Sequence, residues 1–132
     1  MHYTADNCMA QVLRALPGFQ EQWDDHLAAG HGQPAGLLLD LVDLGAYANA
    51  LLERPAQHGP ELRTLFDLVE AMIVGGDTLV QSAMQGGLLE SVLDPMTVDS
   101  RGLSTFAALL GPRSRAYVQH CLQVTGGRLP GL

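Results

Sequence analysis

The side chains of this chain with chemical reach are five histidines, two cysteines, five serines and 14 carboxylates. His26 and His31, with Asp24 and Asp25 beside them, offer zinc-ligand types, but Gly30 interrupts the helix between the two imidazoles, so the cluster reads as a solvated face. His58 sits in a Gly/Pro turn. His120 falls on the apolar stripe of the last helix, which predicts a hydrogen-bonded core histidine. Ser82, Ser91, Ser100, Ser104 and Ser114 lie outside any Gly-x-Ser-x-Gly elbow. The Gly-Gly pairs beginning at 75, 86 and 126 lack the lysine and spacing of a phosphate loop and read as helix stops. Asp40/Asp43 and Asp67/Glu70 are carboxylate pairs at i, i+3, yet two-carboxylate hydrolysis needs a cleft and a raised pKa, which nothing in the sequence supplies. Arg113 and Arg115 open the last helix, where an anion is favoured; the preferred reading pairs them with acids of the same molecule. No enzyme, metal or cofactor is expected.

The elements that position these residues follow from apolar spacing and chain breakers. Met9, Val12, Leu13 and Leu16 stand at i, i+3, i+4, i+7, predicting a helix over Asp6–Leu16, with Thr4 or Asp6 as cap and Pro17-Gly18 as stop. A second helix, Phe19–Ala29, faces inward with Phe19, Trp23 and Leu27 and outward with Glu21, Asp24 and Asp25. The third, Ala35–Leu52, gathers Leu37, Leu38, Leu41, Leu44, Gly45, Ala48 and Leu52, with Gly45 and Ala48 allowing a close neighbour. The fourth, Pro60–Val74, turns Leu62, Leu65, Phe66, Val69, Met72 and Ile73 inward. Asp77 caps a short helix through Met84, and Gly86-Gly87 breaks the chain before another short one, Leu88–Leu93. Asp94–Gly102 is the longest irregular stretch. Two further helices, Leu103–Leu110 and Pro112–Thr125, complete the set, the last with Tyr117, His120, Cys121 and Val124 in register.

The expected fold class is therefore all-α, a single domain over 1–132 with 126–132 as a loose tail. Six to eight short helices form a compact bundle, an irregular α-solenoid of HEAT-like helix pairs being equally compatible. That second option comes from a repeated phrase: Leu38-Leu39-Asp40-Leu41-Val42-Asp43 returns 27 residues later as Leu65-Phe66-Asp67-Leu68-Val69-Glu70.

At 132 residues with 47% hydrophobic and 16% charged content, the chain can bury a core without staples. Cys8 and Cys121 match no ligand spacing and are expected to be free, buried thiols. No apolar run approaches a membrane span, and the start of the chain lacks a signal-peptide pattern, so a cytoplasmic location is expected. The net charge of −7 is unevenly placed: all 14 acids precede residue 100, where three arginines leave −11, and the remainder holds four arginines and no acid. There is no lysine. An acidic body opposes phosphate, which excludes general nucleic-acid binding, and suits a basic protein partner. The residues alone do not say what the protein does.

Four motifs add a resemblance. Leu16-Pro17-Gly18-Phe19 with Trp23, Leu65-Phe66-Asp67-Leu68-Val69-Glu70 running to Gly76-Asp77, Leu88-Leu89-Glu90-Ser91-Val92-Leu93, and Leu109-Leu110-Gly111-Pro112-Arg113-Ser114-Arg115 together resemble an uncharacterised family of small all-helical bacterial proteins. Proteins of this kind look like toxin-associated immunity proteins. The resemblance implies no catalytic residues and a cytoplasmic protein that neutralises a toxin by binding its basic domain. The residues expected to meet that partner are Asp40, Asp43, Tyr47, Asp67 and Glu70, with Tyr47 as anchor and the acids setting encounter rate. The alternatives are a helical scaffold or adaptor that binds a peptide or its own copy, and a metal- or ligand-binding regulator. The oligomeric state is left open.

Overall fold

Prolines and glycines divide the chain into helical lengths. In the computed structural model, which describes residues 2–96, 99 and 101–132, α1 (Cys8–Ala15) ends before Leu16, and a 3-10 turn (Pro17–Phe19) swings the chain into α2 (Gln20–Ala29). A loop of glycines and Pro34 precedes α3 (Leu37–Leu52), and a second 3-10 turn (Pro55–Gln57) leads to α4 (Gly59–Gly75), with Pro60 in its first turn. Asp77 caps α5 (Thr78–Ser82) as its residue type predicts: Oδ1 accepts from the Val80 N–H at 2.9 Å. Its Oδ2 accepts from the Ala5 N–H at 3.2 Å, tying the N-terminal segment to the same turn.

Gly86-Gly87 does not break the chain. α5 continues through a π-helical stretch (Ala83–Leu89) into α6 (Glu90–Met96), three pieces of one rod. The physical reason is the neighbour. A Cβ on Gly87 would lie 2.9 Å from the Leu38 carbonyl oxygen, and one on Gly45 would lie 2.5 Å from Ser91 Oγ. α3 and the π stretch thus meet nearly backbone to backbone, and tertiary packing holds a helix that glycine propensity alone would abandon. The small face expected at Gly45 and Ala48 serves this contact.

After α6 come α7 (Leu103–Leu109) and α8 (Pro112–Thr125). The irregular stretch expected over 94–102 is shorter than its composition suggests, because Asp94, Pro95 and Met96 belong to α6; residues 97, 98 and 100, Ser100 among them, lie outside the described residues. The segment after Gly126 is not a loose tail: Gly127 N–H donates to Leu122 O at 2.8 Å, Arg115 donates to the Gly131 and Ala107 carbonyls, and Leu129 and Leu132 pack half-buried against the core.

The described residues are 76% helical, in seven rods with no strand. α4 is the hub, touching α1, α3, α5, α7 and α8. A solenoid repeat touches only its neighbours, so this is the bundle of the two alternatives. Phe19, Phe66 and Phe106 are fully buried, the last two edge to face at 5.6 Å. α8 presents Ser114, Val118 and Leu122 to the core; of the predicted stripe Tyr117 and Cys121 pack half-buried against it, whereas His120 is exposed and Val124 72% exposed. Glu70 on α4 holds the start of α8 through the Arg113 and Ser114 amides, with Ser114 turned inward. Among the described residues no helix is long and apolar enough to cross a membrane.

Candidate interaction surface

The five residues expected on one exposed face do not share one. Asp40, in the first turn of α3, is buried at 3% exposure. Its Oδ1 accepts from His26 Nε2 at 2.8 Å and from the Ala35 N–H at 3.1 Å, so it pins both α2 and the preceding loop to α3. Asp43 is half-buried one turn on. Gln22 Nε2 donates to its Oδ1 at 3.1 Å and to its backbone carbonyl at 2.9 Å, while His26 Nδ1 stands 3.9 Å from Oδ2. Both ring nitrogens of His26 thus face carboxylates, and Trp23 stacks on the ring at 5.3 Å. Only Nε2 is within hydrogen-bond distance; Asp43 Oδ2 is buried and accepts no hydrogen bond among the described residues. His31 takes no part in this cluster, and among the described residues no group of three or more His, Cys, Asp or Glu side chains is placed to hold a metal.

Tyr47 is half-buried; its ring packs on Phe19 at 5.3 Å and its hydroxyl donates to Glu61 on α4. Burial, and then the hydrogen bond to Glu61, push its pKa well up. Glu70 closes the start of α8: Oε2 accepts from the Arg113 N–H at 3.0 Å, and Oε1 accepts from the Ser114 N–H and Oγ, both at 2.9 Å. The helix start that could have held an anion therefore holds one from within the molecule. The expected acid–arginine pairing takes a different form, with the acid on backbone amides and the Arg115 guanidinium on carbonyls. Asp67 alone of the five is exposed to solvent.

The thiols behave as expected in part. Both cysteines are free; Cys8 is fully buried, donating to Met72 Sδ at 3.8 Å, whereas Cys121 is only half-buried. Burial pushes the Cys8 thiol from 9.0 up to about 11, with Asp77 and Asp40 adding to the rise. Burial also raises Cys121, beside Tyr117, whose hydroxyl donates to Glu90 Oε2 at 3.0 Å.

What faces solvent on the α2–α3 pair is of two kinds. Glu21, Asp24 and Asp25 line α2. On α3, Leu38 and Leu39 are 53% and 55% exposed and Val42 is 38% exposed, although Leu38 belongs by spacing to the inward face. Ala46 and Ala50 continue this apolar strip.

A family model described as a domain of unknown function (DUF7674) matches residues 9–125. The chain belongs to this family. The DUF7674 match starts within α1 and closes on the last residue of α8, so the whole α2–α3 surface lies inside it. No curated protein and no solved structure matches the chain.

In this DUF7674 domain the residues that spacing alone misplaces are the apolar strip and the buried Asp40. The available signal was an excess: α3 is apolar nearly all round, more than one buried face requires.

Proposed function

We propose that this DUF7674 domain is a non-catalytic protein-binding domain, and that it acts as a cytoplasmic immunity protein, neutralising a cognate toxin by direct contact with the toxin's basic surface. The observation that supports this reading is the division between polar groups engaged inside the molecule and those that are exposed. His26, Asp40, Tyr47, Glu61, Glu70, Tyr117 and Glu90 are all engaged with one another or with backbone amides. The exposed acids Glu21, Asp24 and Asp25 stand together on one helix, Asp24 accepting only from Gln20 of the same helix at 2.9 Å, with half-buried Asp43 behind them. Such a cluster steers a basic partner and fixes its register without supplying an acid or a base at a reacting atom. Asp43 is retained from the expected partner residues and Asp67 stays available on α4, whereas Asp40, Tyr47 and Glu70 hold the fold.

Co-expression with the product of the gene adjacent to the one for this chain tests the reading. Protection of the host and co-purification of a stoichiometric complex are expected. Unrelieved toxicity with no complex would sink it.

A further inference from the structure

Three of the six exposed large apolar side chains among the described residues, Leu38, Leu39 and Val42, fall within the first two turns of α3. Leu39, Val42, Ala46 and Ala50 recur at i, i+3, i+7 and i+11, which places them along one line of the helix. This line is a ridge, large at one end and small at Ala46 and Ala50, where another backbone can come close. Among the described residues its neighbours lie to either side: α2 contacts the adjacent stripe through Asp40 and Asp43, and the π stretch meets the other flank, Gly87 at Leu38 and Leu88 at Gly45.

We propose that this ridge is the docking site for a basic amphipathic helix of the partner protein, laid along α3 beside α2. The proposal rests on the reading above for who the partner is, and on the ridge alone for how it binds. A helix is favoured over a strand because α3 has no free backbone groups to pair with a strand edge, whereas an apolar ridge graded from large to small matches an i, i+3, i+7 stripe. The basic character comes from charge. His26 and Gln22 touch α3 while Trp23 turns inward, so the phase of α2 puts Glu21 and Asp25 on its outward side, next to the ridge. Glu53 closes the far end of the line. Between Arg14 and Arg54 the chain carries six acids and neither arginine nor lysine. Two copies meeting ridge to ridge would set these acids against each other, which disfavours a second copy of this chain as occupant.

The probe is an 18-residue helical peptide of leucine, alanine and lysine, with one leucine stripe flanked by lysines, and its counterpart with glutamate for lysine. Fluorescence anisotropy with the wild-type protein, with Ala46→Arg on the ridge, and with Gln119→Arg on exposed α8 reads the site, circular dichroism verifying that each variant is folded. The lysine peptide should bind at least tenfold tighter than the glutamate peptide. Ala46→Arg should weaken it at least tenfold, and Gln119→Arg, an equal change in charge, less than twofold. Equal loss in the two variants, or equal affinity for the two peptides, would overturn the proposal. So would a dimer in sedimentation that Ala46→Arg dissolves, since a second copy would then be the occupant. In the co-expression assay, protection by wild type and Ala46→Arg alike removes the ridge and leaves the immunity reading standing. Failure of wild type to protect, with the peptide pattern intact, removes the immunity reading and leaves the ridge.

Discussion

Asp40 and Asp67 occupy the same third place of the repeated phrase, and their chemistry in the fold is opposite. Asp40 is buried under two hydrogen bonds, one to a histidine, and Asp67 lies in water. Removing a buried acceptor leaves its donors without partners, so Asp40→Ala should cost about 2–3 kcal/mol, whereas Asp67→Ala should stay within about 0.5 kcal/mol. Urea denaturation of the two variants side by side decides this, and equal midpoints would contradict the burial of Asp40. Glu70 gives a related test. Its carboxylate satisfies two orphan amides of α8 from another helix, so Glu70→Ala should lose about 1–2 kcal/mol and Glu70→Gln less, since one amide oxygen still accepts. Neither role was legible in the sequence. Helical spacing reports which side of a helix a residue is on, but Glu70 meets Ser114 across 44 positions, and that pairing leaves no local trace.

The helices themselves were legible because their ends are chemical: Pro17, Gly30, Pro60, Gly76-Asp77 and Gly111-Pro112 each fall at a boundary in the structure. The rotation of each helix was less so. In α4 the buried places of the phrase are Leu65, Phe66 and Val69, as the spacing predicts; in α3 they are Asp40 and Leu41, with Leu38 and Val42 outside. A helix with leucines on nearly every side has no unique inward stripe, and the neighbours choose. The choice for α3 is made at Gly45 and Gly87, where no side chain fits between the backbones. Gly87→Ala would drive a methyl against the Leu38 carbonyl and should destabilise by about 1–3 kcal/mol, helix propensity notwithstanding. Gly86→Ala meets only Glu90 Oε2, at 3.2 Å, the side-chain oxygen that accepts from Tyr117, so its gain in propensity is set against a small shift of that hydrogen bond and the net change should be under about 1 kcal/mol. Thermal melts of the two neighbouring substitutions make the comparison, and a Gly87→Ala melt matching wild type would mean that α3 and the π stretch are further apart than described.

At the scale of the molecule, three acidic protons among the described residues are held in hydrogen bonds between helices. Cys8 joins α1 to α4 through Met72, Tyr47 joins α3 to α4 through Glu61, and Tyr117 joins α8 to α6 through Glu90. Burial raises all three pKa values, the thiol from 9.0 to about 11. For such groups the fold favours the protonated form, so their contribution is fully present below the unfolded values, 9.0 for the thiol and 10.0 for the phenols, and is lost as pH climbs through the folded ones. Stability should be level from about pH 7.5 to about 9 and fall beyond it. The thiol alone accounts for roughly 2 kcal/mol by about pH 11. Each lost proton also adds negative charge to a chain already at −7, so repulsion acts in the same direction. Urea midpoints measured every half unit would trace the decline, and removing both thiols, Cys8→Ala with Cys121→Ala, should delay its onset toward pH 10, where only the phenols remain. A flat profile to pH 11, or the same onset in the double variant, would show that these contacts open before the protons leave.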